Sequence, residues 1–113
     1  MIYPKPQRKK KRKQHGKSIF YQRPGSCFLC ERQGDYSRKY TEVHHIFDGP
    51  NRHVSEANGF TVRLCLKHHR EGANAVHNNS QNMRLLQQIA QGKYEQTHSR
   101  EEFMSLIGKN YLD

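Results

Sequence analysis

Three cysteines and one histidine form two short pairs that are typical of a structural zinc site. The pairs are Cys27-x-x-Cys30 and Cys65-x-x-His68, with 34 residues between them. Zinc prefers four tetrahedral thiolate or imidazole ligands, and a two-residue spacing holds two ligand atoms close together. Three small buried cysteines without a metal would account less well for the repeated spacing. We therefore predict one structural Zn²⁺ on these four residues.

Four further histidines lie between or just after these pairs: His44, His45, His69 and His77. Neutral imidazole can hold a divalent cation, and it can also take a proton from water near pH 7. A bound cation acts as a Lewis acid on a phosphate. The four histidines therefore predict a second metal centre with the chemistry of phosphodiester hydrolysis. The remaining histidines are expected at the surface, namely His15, His53 and His98.

Positive charge is concentrated at the N-terminus. The first 26 residues hold nine of the 20 Lys and Arg residues and no acid, whereas the other 87 residues hold 11 basic and 10 acidic side chains. Six consecutive basic residues suit a polyanionic partner, because neutralising phosphates releases condensed counterions. We predict a disordered basic arm over residues 1–25 and a folded domain over 26–113. The run consists of Arg8, Lys9, Lys10, Lys11, Arg12 and Lys13.

Composition predicts a small domain whose core alone contributes too little free energy to fold it. The chain has 113 residues, 33% apolar content and no Trp, so its core is modest and a structural metal would add folding free energy. Three cysteines fit metal binding in a reducing compartment better than a disulfide framework. No apolar run suits a membrane span or a secretory signal, so we expect a cytoplasmic protein.

The elements that must position these residues are predicted from periodicity and turn signals. Two strands flank a turn and a polar loop, and helices follow the second Cys-containing pair. A capping box at Ser99-x-x-Glu102 opens a short final helix that Gly108 ends. The predicted ranges are a strand over 38–47, a turn over 48–51, a strand over 60–65 and a helix over about 81–94.

The order of pair, His-His strand, turn, second strand, pair and helix resembles the HNH nucleases of the His-Me finger class. The resemblance covers about residues 27–79. Four segments are similar to those of small HNH proteins of phages and prophages. They are His44-His-Ile-Phe-Asp-Gly-Pro-Asn-Arg52, Leu64-Cys-Leu-Lys-His-His69, Val76-His-Asn78 and the C-terminal Gly108-Lys-Asn-Tyr-Leu112. The resemblance implies an α+β fold: a zinc-bound ββα-metal domain, treble-clef-like, with a C-terminal helical extension.

The resemblance also implies roles for individual residues. His44 matches the family's strand metal ligand, His45 its general base and His69 its helix metal ligand. A second helix ligand would follow one turn later, where this chain has Ala73. His77 is either the replacement ligand, a phosphate contact or a surface histidine.

Two further positions depart from the family pattern or leave a choice open. His68 replaces the usual fourth cysteine. The family's middle Asn is Asn51 or Asn58, with Asn51 favoured. An ideal strand sends neighbouring side chains to opposite faces, so His44 and His45 can serve one site only if the backbone bends there.

Together these observations predict a metal-dependent endonuclease that hydrolyses phosphodiester bonds in DNA, with RNA as an alternative substrate. The catalytic cation would be Mg²⁺, Mn²⁺, Ni²⁺ or Zn²⁺, and a phage-encoded enzyme would act in the host cytoplasm. Arg52 and Arg70 are candidate phosphate contacts beside the site, and Asp48 is a turn residue or a partner of a ligating histidine. The competing hypothesis is a non-catalytic zinc module that binds nucleic acid through its basic arm.

Overall fold

A computed structural model describes residues 16–112, which form an α+β fold around one two-stranded sheet. Two strands and a helix between them are flanked by the short helices α1 and α3, and two longer helices complete the C-terminal part. In chain order the elements are α1 (Phe28–Arg32), β1 (Thr41–His45), a 3-10 turn (Gly49–Asn51), α2 (Arg52–Asn58), β2 (Thr61–Cys65), α3 (Leu66–His69), α4 (Ser80–Tyr94) and α5 (Arg100–Ile107).

The sheet places neighbouring histidines in different surroundings. β1 and β2 are antiparallel, with His44 opposite Val62 and His45 opposite Thr61. Alternation puts Glu42 and His44 on one face and Val43 on the other. The register continues unbroken to His45, and the chain bends only after it, at residues 46 and 47. The bend that would bring both histidines to one site is therefore absent from the His44–His45 pair itself.

An aromatic cluster joins the sheet to the C-terminal helices. The ring of Phe47 lies 5.2 Å from that of Phe60 and 5.5 Å from that of Phe103, all in edge-to-face contact. Tyr94 of α4 contacts Phe60 at 5.5 Å. These rings are almost fully buried, so the helical extension packs on the hairpin and shares its core.

The helices confirm the predictions made from periodicity and capping. α4 begins at Ser80, one residue before the predicted start, and ends at Tyr94. Ser99 and Glu102 form the predicted capping box of α5, and Gly108 ends that helix in the left-handed conformation. None of the helices within residues 16–112 is long and apolar enough to cross a membrane.

The prediction of a polar loop between the strands is wrong, because the residues from Arg52 to Asn58 form helix α2. Gly59 ends this helix with φ of +75°, a left-handed conformation that suits glycine. Ser55 is fully buried and clamps the helix to the preceding bend: its hydroxyl accepts from Phe47 N (3.0 Å) and donates to Phe47 O (2.6 Å). The first strand is also shorter than the predicted range 38–47.

Residues 16–25, which we assigned to the basic arm, contact the domain along the outer edge of β2. Ile19 N donates to Gly59 O (3.0 Å), and the Ser18 hydroxyl donates to Thr61 O. Gln22 accepts from Arg63 N (2.7 Å) and donates to Arg63 O (3.1 Å). This segment therefore pairs with the strand edge through side chains. The basic run from Arg8 to Lys13 lies outside the described residues.

Candidate metal centres

The structure brings the four predicted zinc ligands into one cluster. Nδ1 of His68 lies 3.5 Å from Sγ of Cys27 and 3.3 Å from Sγ of both Cys30 and Cys65. The sulfurs of Cys30 and Cys65 are 3.7 Å apart. All three cysteines are buried and none forms a disulfide.

These distances fit a tetrahedral zinc ion. Zn–S bonds of about 2.3 Å and Zn–N bonds of about 2.0 Å place ligand sulfurs about 3.8 Å apart and a sulfur and nitrogen about 3.5 Å apart. Burial, followed by hydrogen bonds with the two other thiols, raises the pKa of Cys30 to about 12. Binding of a metal would release the proton of this thiol, because cysteine coordinates as the thiolate. The geometry and the donor set therefore suit a structural metal such as zinc.

Each ligand pair sits where a short helix begins. Cys27 is the N-cap of α1, and its Sγ accepts from Cys30 N (3.5 Å). Cys65 ends β2 and precedes α3, so His68 follows one turn later on the helix. The sheet thus fixes one pair, and α1 brings the other pair to it.

A second cluster contains His44, His69 and His77, with one ligand nitrogen from each lying within 4.8 Å of the others. The ring of His44 lies 5.3 Å from that of His69 and 5.2 Å from that of His77. The Nε2 atoms of His69 and His77 are 3.2 Å apart, close to the separation of about 3.3 Å expected for two nitrogens on one tetrahedral cation. His44 is buried and His77 exposed, so the cluster opens toward solvent.

His44 carries the strongest local evidence that this cluster fits a cation. Its side chain is 2% exposed, and its Nε2 has no hydrogen-bond partner among residues 16–112. Burial, then the neighbouring His69 and His77, lower the pKa of His44 to about 3. The imidazole is therefore neutral at physiological pH, with a buried lone pair available as a ligand. A buried polar atom without a partner otherwise costs stability.

Glu42 orients His69, as carboxylates commonly orient ligating histidines. Oε1 of Glu42 lies 3.0 Å from Nδ1 of His69 and 2.9 Å from Nε of Arg70. A proton on Nδ1 leaves the Nε2 lone pair facing His77, as metal binding requires. Glu42 fills the role we considered for Asp48, which is an exposed residue at the start of the 3-10 turn. The sequence held a signal for it, since Glu42 and His44 share one face of a strand.

His45 lies outside the three-histidine cluster and forms a different pair. Its Nε2 is 2.7 Å from Oε2 of Glu56 on α2. We missed Glu56 because its helix was predicted as a loop. The side chain of Asn51 donates to Ile107 O (3.2 Å) and joins the 3-10 turn to the end of α5, whereas that of Asn58 donates to Val54 O (2.9 Å) within α2.

The candidate phosphate contacts differ in how they are held. Arg70 is exposed, and it donates to both carboxylate oxygens of Glu42 at 2.9 and 3.3 Å. Arg52 is exposed at the first position of α2. Arg70 is thus fixed beside His69, whereas Arg52 begins the helix that carries Glu56.

Comparisons with protein-family models, with curated proteins and with solved structures gave no match for this chain. Its class is therefore defined by its own fold and site. It is a small α+β protein with a two-stranded antiparallel sheet and a Cys₃His cluster that could bind a structural metal such as zinc.

Proposed function

We propose that this protein is a metal-dependent endonuclease of the HNH type that hydrolyses phosphodiester bonds in DNA. The observation that carries the proposal is the buried, unpartnered Nε2 of His44 beside His69 and His77. A structural zinc site alone leaves this cluster without a role. Three imidazoles that converge on one point at the surface suit a cation that must also meet a substrate.

His44, His69 and His77 would hold the catalytic cation, and Glu42 would hold His69 in the tautomer that binds it. When bound, a divalent cation supplies Lewis-acid stabilisation of charge on the scissile phosphate. Because His44 is neutral and already buried, no proton has to leave it before it binds. The exposed side of His77 leaves room for the phosphate.

His45 would act as the general base that takes a proton from the attacking water. A base must keep a lone pair free of the metal, and His45 is not a member of the metal cluster. The carboxylate of Glu56, 2.7 Å away, stabilises the imidazolium that forms when His45 accepts the proton. The two consecutive histidines would thus divide metal binding and proton transfer between them, with His45 reaching the attacking water from the face of β1 opposite His44.

Basic side chains would bind the nucleic-acid backbone. Arg70 is held beside His69 and presents further N–H donors at the surface. Arg52 and the run from Arg8 to Lys13 would add contacts with phosphates that depend on charge and not on base sequence.

The test is plasmid nicking by the full chain with Mg²⁺, Mn²⁺, Ni²⁺ or Zn²⁺. We expect His45→Ala to lower the rate about 100- to 10,000-fold, since it removes a general base, while metal content stays unchanged. His53→Ala is the matched control, because His53 is an exposed histidine on α2 and its loss should leave nicking intact.

Two results would contradict the proposal in different ways. Full activity of His45→Ala would show that another group is the base. No cleavage with any cation, together with one metal ion per chain, would instead support a non-catalytic zinc module that binds nucleic acid.

A further inference from the structure

Two exposed tyrosines lie on the segment that joins the first cysteine pair to β1. The side chain of Tyr36 is 65% exposed and that of Tyr40 is 70% exposed. Large aromatic side chains are costly to leave in water, and an exposed group of them commonly marks a binding surface. Neither residue takes part in the metal clusters or in the core.

The backbone between these tyrosines is held firmly. Asp35 N donates to Cys30 O (2.9 Å), and a side-chain oxygen of Asp35 accepts from Ser37 N (3.0 Å). Lys39 N donates to Gly25 O (2.8 Å), and Lys39 Nζ lies 2.9 Å from a carboxylate oxygen of Asp35. The segment is thus fixed to the cysteine pair on one side and to residue 25 on the other. The rings of Tyr36 and Tyr40 are therefore held in place before any ligand binds.

Positive charge lies directly beside Tyr36. Arg23, Tyr36 and Arg38 line a cleft of about 250 Å³ at the surface. A Cβ on Gly25 would lie 2.6 Å from Cγ of Arg38, so glycine at this position lets Arg38 lie across the backbone. Both arginines are exposed and can reach a polyanion.

At its other end the segment reaches the three-histidine cluster. Tyr40 immediately precedes β1, two residues before Glu42 and four before His44. Arg70 lies at the same place, since it donates to both carboxylate oxygens of Glu42 at 2.9 and 3.3 Å. Tyr36, Arg38, Tyr40 and Arg70 thus define one surface, which we name the tyrosine surface.

We propose that the tyrosine surface binds single-stranded nucleic acid, with bases stacked on Tyr36 and Tyr40 and phosphates bound by Arg38 and Arg70. Stacking on a protein ring needs an unpaired base, because in a duplex the faces of the bases are covered by their neighbours. Alternating rings and cations suit a strand in which bases and phosphates alternate. Only the direction of that strand, toward His69 and His77, rests on the proposed nuclease function.

The experiment measures binding of the full chain to a fluorescent dT oligonucleotide of about 12 nucleotides and to a duplex of equal length. All proteins carry His45→Ala so that the nucleic acid stays intact. Tyr36→Ala with Tyr40→Ala should weaken binding of the single strand about tenfold per tyrosine, and binding of the duplex less than twofold. Tyr36→Phe with Tyr40→Phe should keep wild-type affinity, since the rings remain.

Tyr21→Ala is the matched control. Tyr21 is even more exposed, at 93%, but it lines a different groove together with Val43 and Arg63. Its loss should leave the affinity for the single strand unchanged. All variants should unfold at the wild-type temperature, since the exchanged rings lie outside the core.

The outcomes separate this inference from the nuclease proposal. Unchanged affinity of the double alanine variant for dT, or an equal loss for the duplex, would overturn the tyrosine surface as a single-strand site. Binding of dT that depends on Tyr36 and Tyr40, together with a wild-type chain that nicks no plasmid with any of the four cations, would keep this inference and overturn the nuclease.

Discussion

At the scale of single residues, Glu42 connects the three-histidine cluster to Arg70. The hydrogen bond from Arg70, followed by that from His69, lowers the pKa of Glu42 to about 2. Its carboxylate is therefore charged at neutral pH and accepts from both partners. One side chain thus sets the tautomer of His69 and the position of Arg70.

We predict that Glu42→Gln weakens binding of a divalent cation at the three-histidine cluster about 10- to 100-fold, because partners of this kind orient ligating imidazoles and raise their basicity. Isothermal titration of the zinc-loaded protein with Ni²⁺ would measure the change. Glu101→Gln, an exposed substitution on α5, serves as the control. An unchanged Ni²⁺ affinity in Glu42→Gln would show that His69 needs no carboxylate to bind metal.

The site residues that could be predicted from the sequence are those whose partners lie close to them in the chain. Only two residues separate Cys27 from Cys30, so the spacing already limits how far apart their sulfurs can lie. Glu42 could also have been predicted, since strand alternation places it on the same face as His44. Glu56 was not, because its contact with His45 depends on a helix that the composition did not indicate.

At the scale of elements, helix α2 and the segment before α1 meet at Gly59. This residue has φ of +75°, and a Cβ there would lie 2.6 Å from Lys17 O and 3.0 Å from Ile19 N. Gly92 of α4 provides the opposite case: it lies within a helix, and a Cβ there would meet nothing within 4 Å.

We expect Gly59→Ala to destabilise the fold by about 2 kcal/mol, through left-handed strain and the clash with the Lys17 carbonyl. Gly92→Ala should stabilise it by about 0.5–1 kcal/mol, since alanine is the better helix former. Urea unfolding followed by circular dichroism would measure both changes. Equal free energies of unfolding for the two variants would mean that Lys17 and Ile19 can move away from an added Cβ without destabilising the fold.

Elements with a strong signal of their own were predicted, and those determined by tertiary contacts were not. The apolar spacing of α4 and the capping box of α5 can be recognised without the rest of the chain. Helix α2 has a short polar sequence, and its place depends on the buried hydroxyl of Ser55, which binds the backbone of Phe47. A hydrogen bond of this kind to a residue in a bend leaves no periodic pattern in the sequence.

At the scale of the whole molecule, the Cys₃His cluster links the two parts that would bind substrate. Cys30 O accepts the hydrogen bond that fixes Asp35, where the segment bearing Tyr36 and Tyr40 begins. On the other side, His69 and Arg70 directly follow His68. A metal at this cluster would therefore set the distance between the tyrosine surface and the three-histidine cluster.

Loss of this metal should consequently unfold the domain, whereas loss of the second metal should not. A structural zinc contributes roughly 10 kcal/mol or more, comparable with the total stability of about 5–15 kcal/mol of a typical domain. We expect Cys65→Ala to abolish the cooperative thermal transition. In contrast, His69→Ala should keep that transition and reduce the metal content from two ions per chain to one, as measured by elemental analysis with Ni²⁺ in excess. A Cys65→Ala chain that still unfolds cooperatively would show that the aromatic core around Phe47 and Phe60 holds the fold without metal.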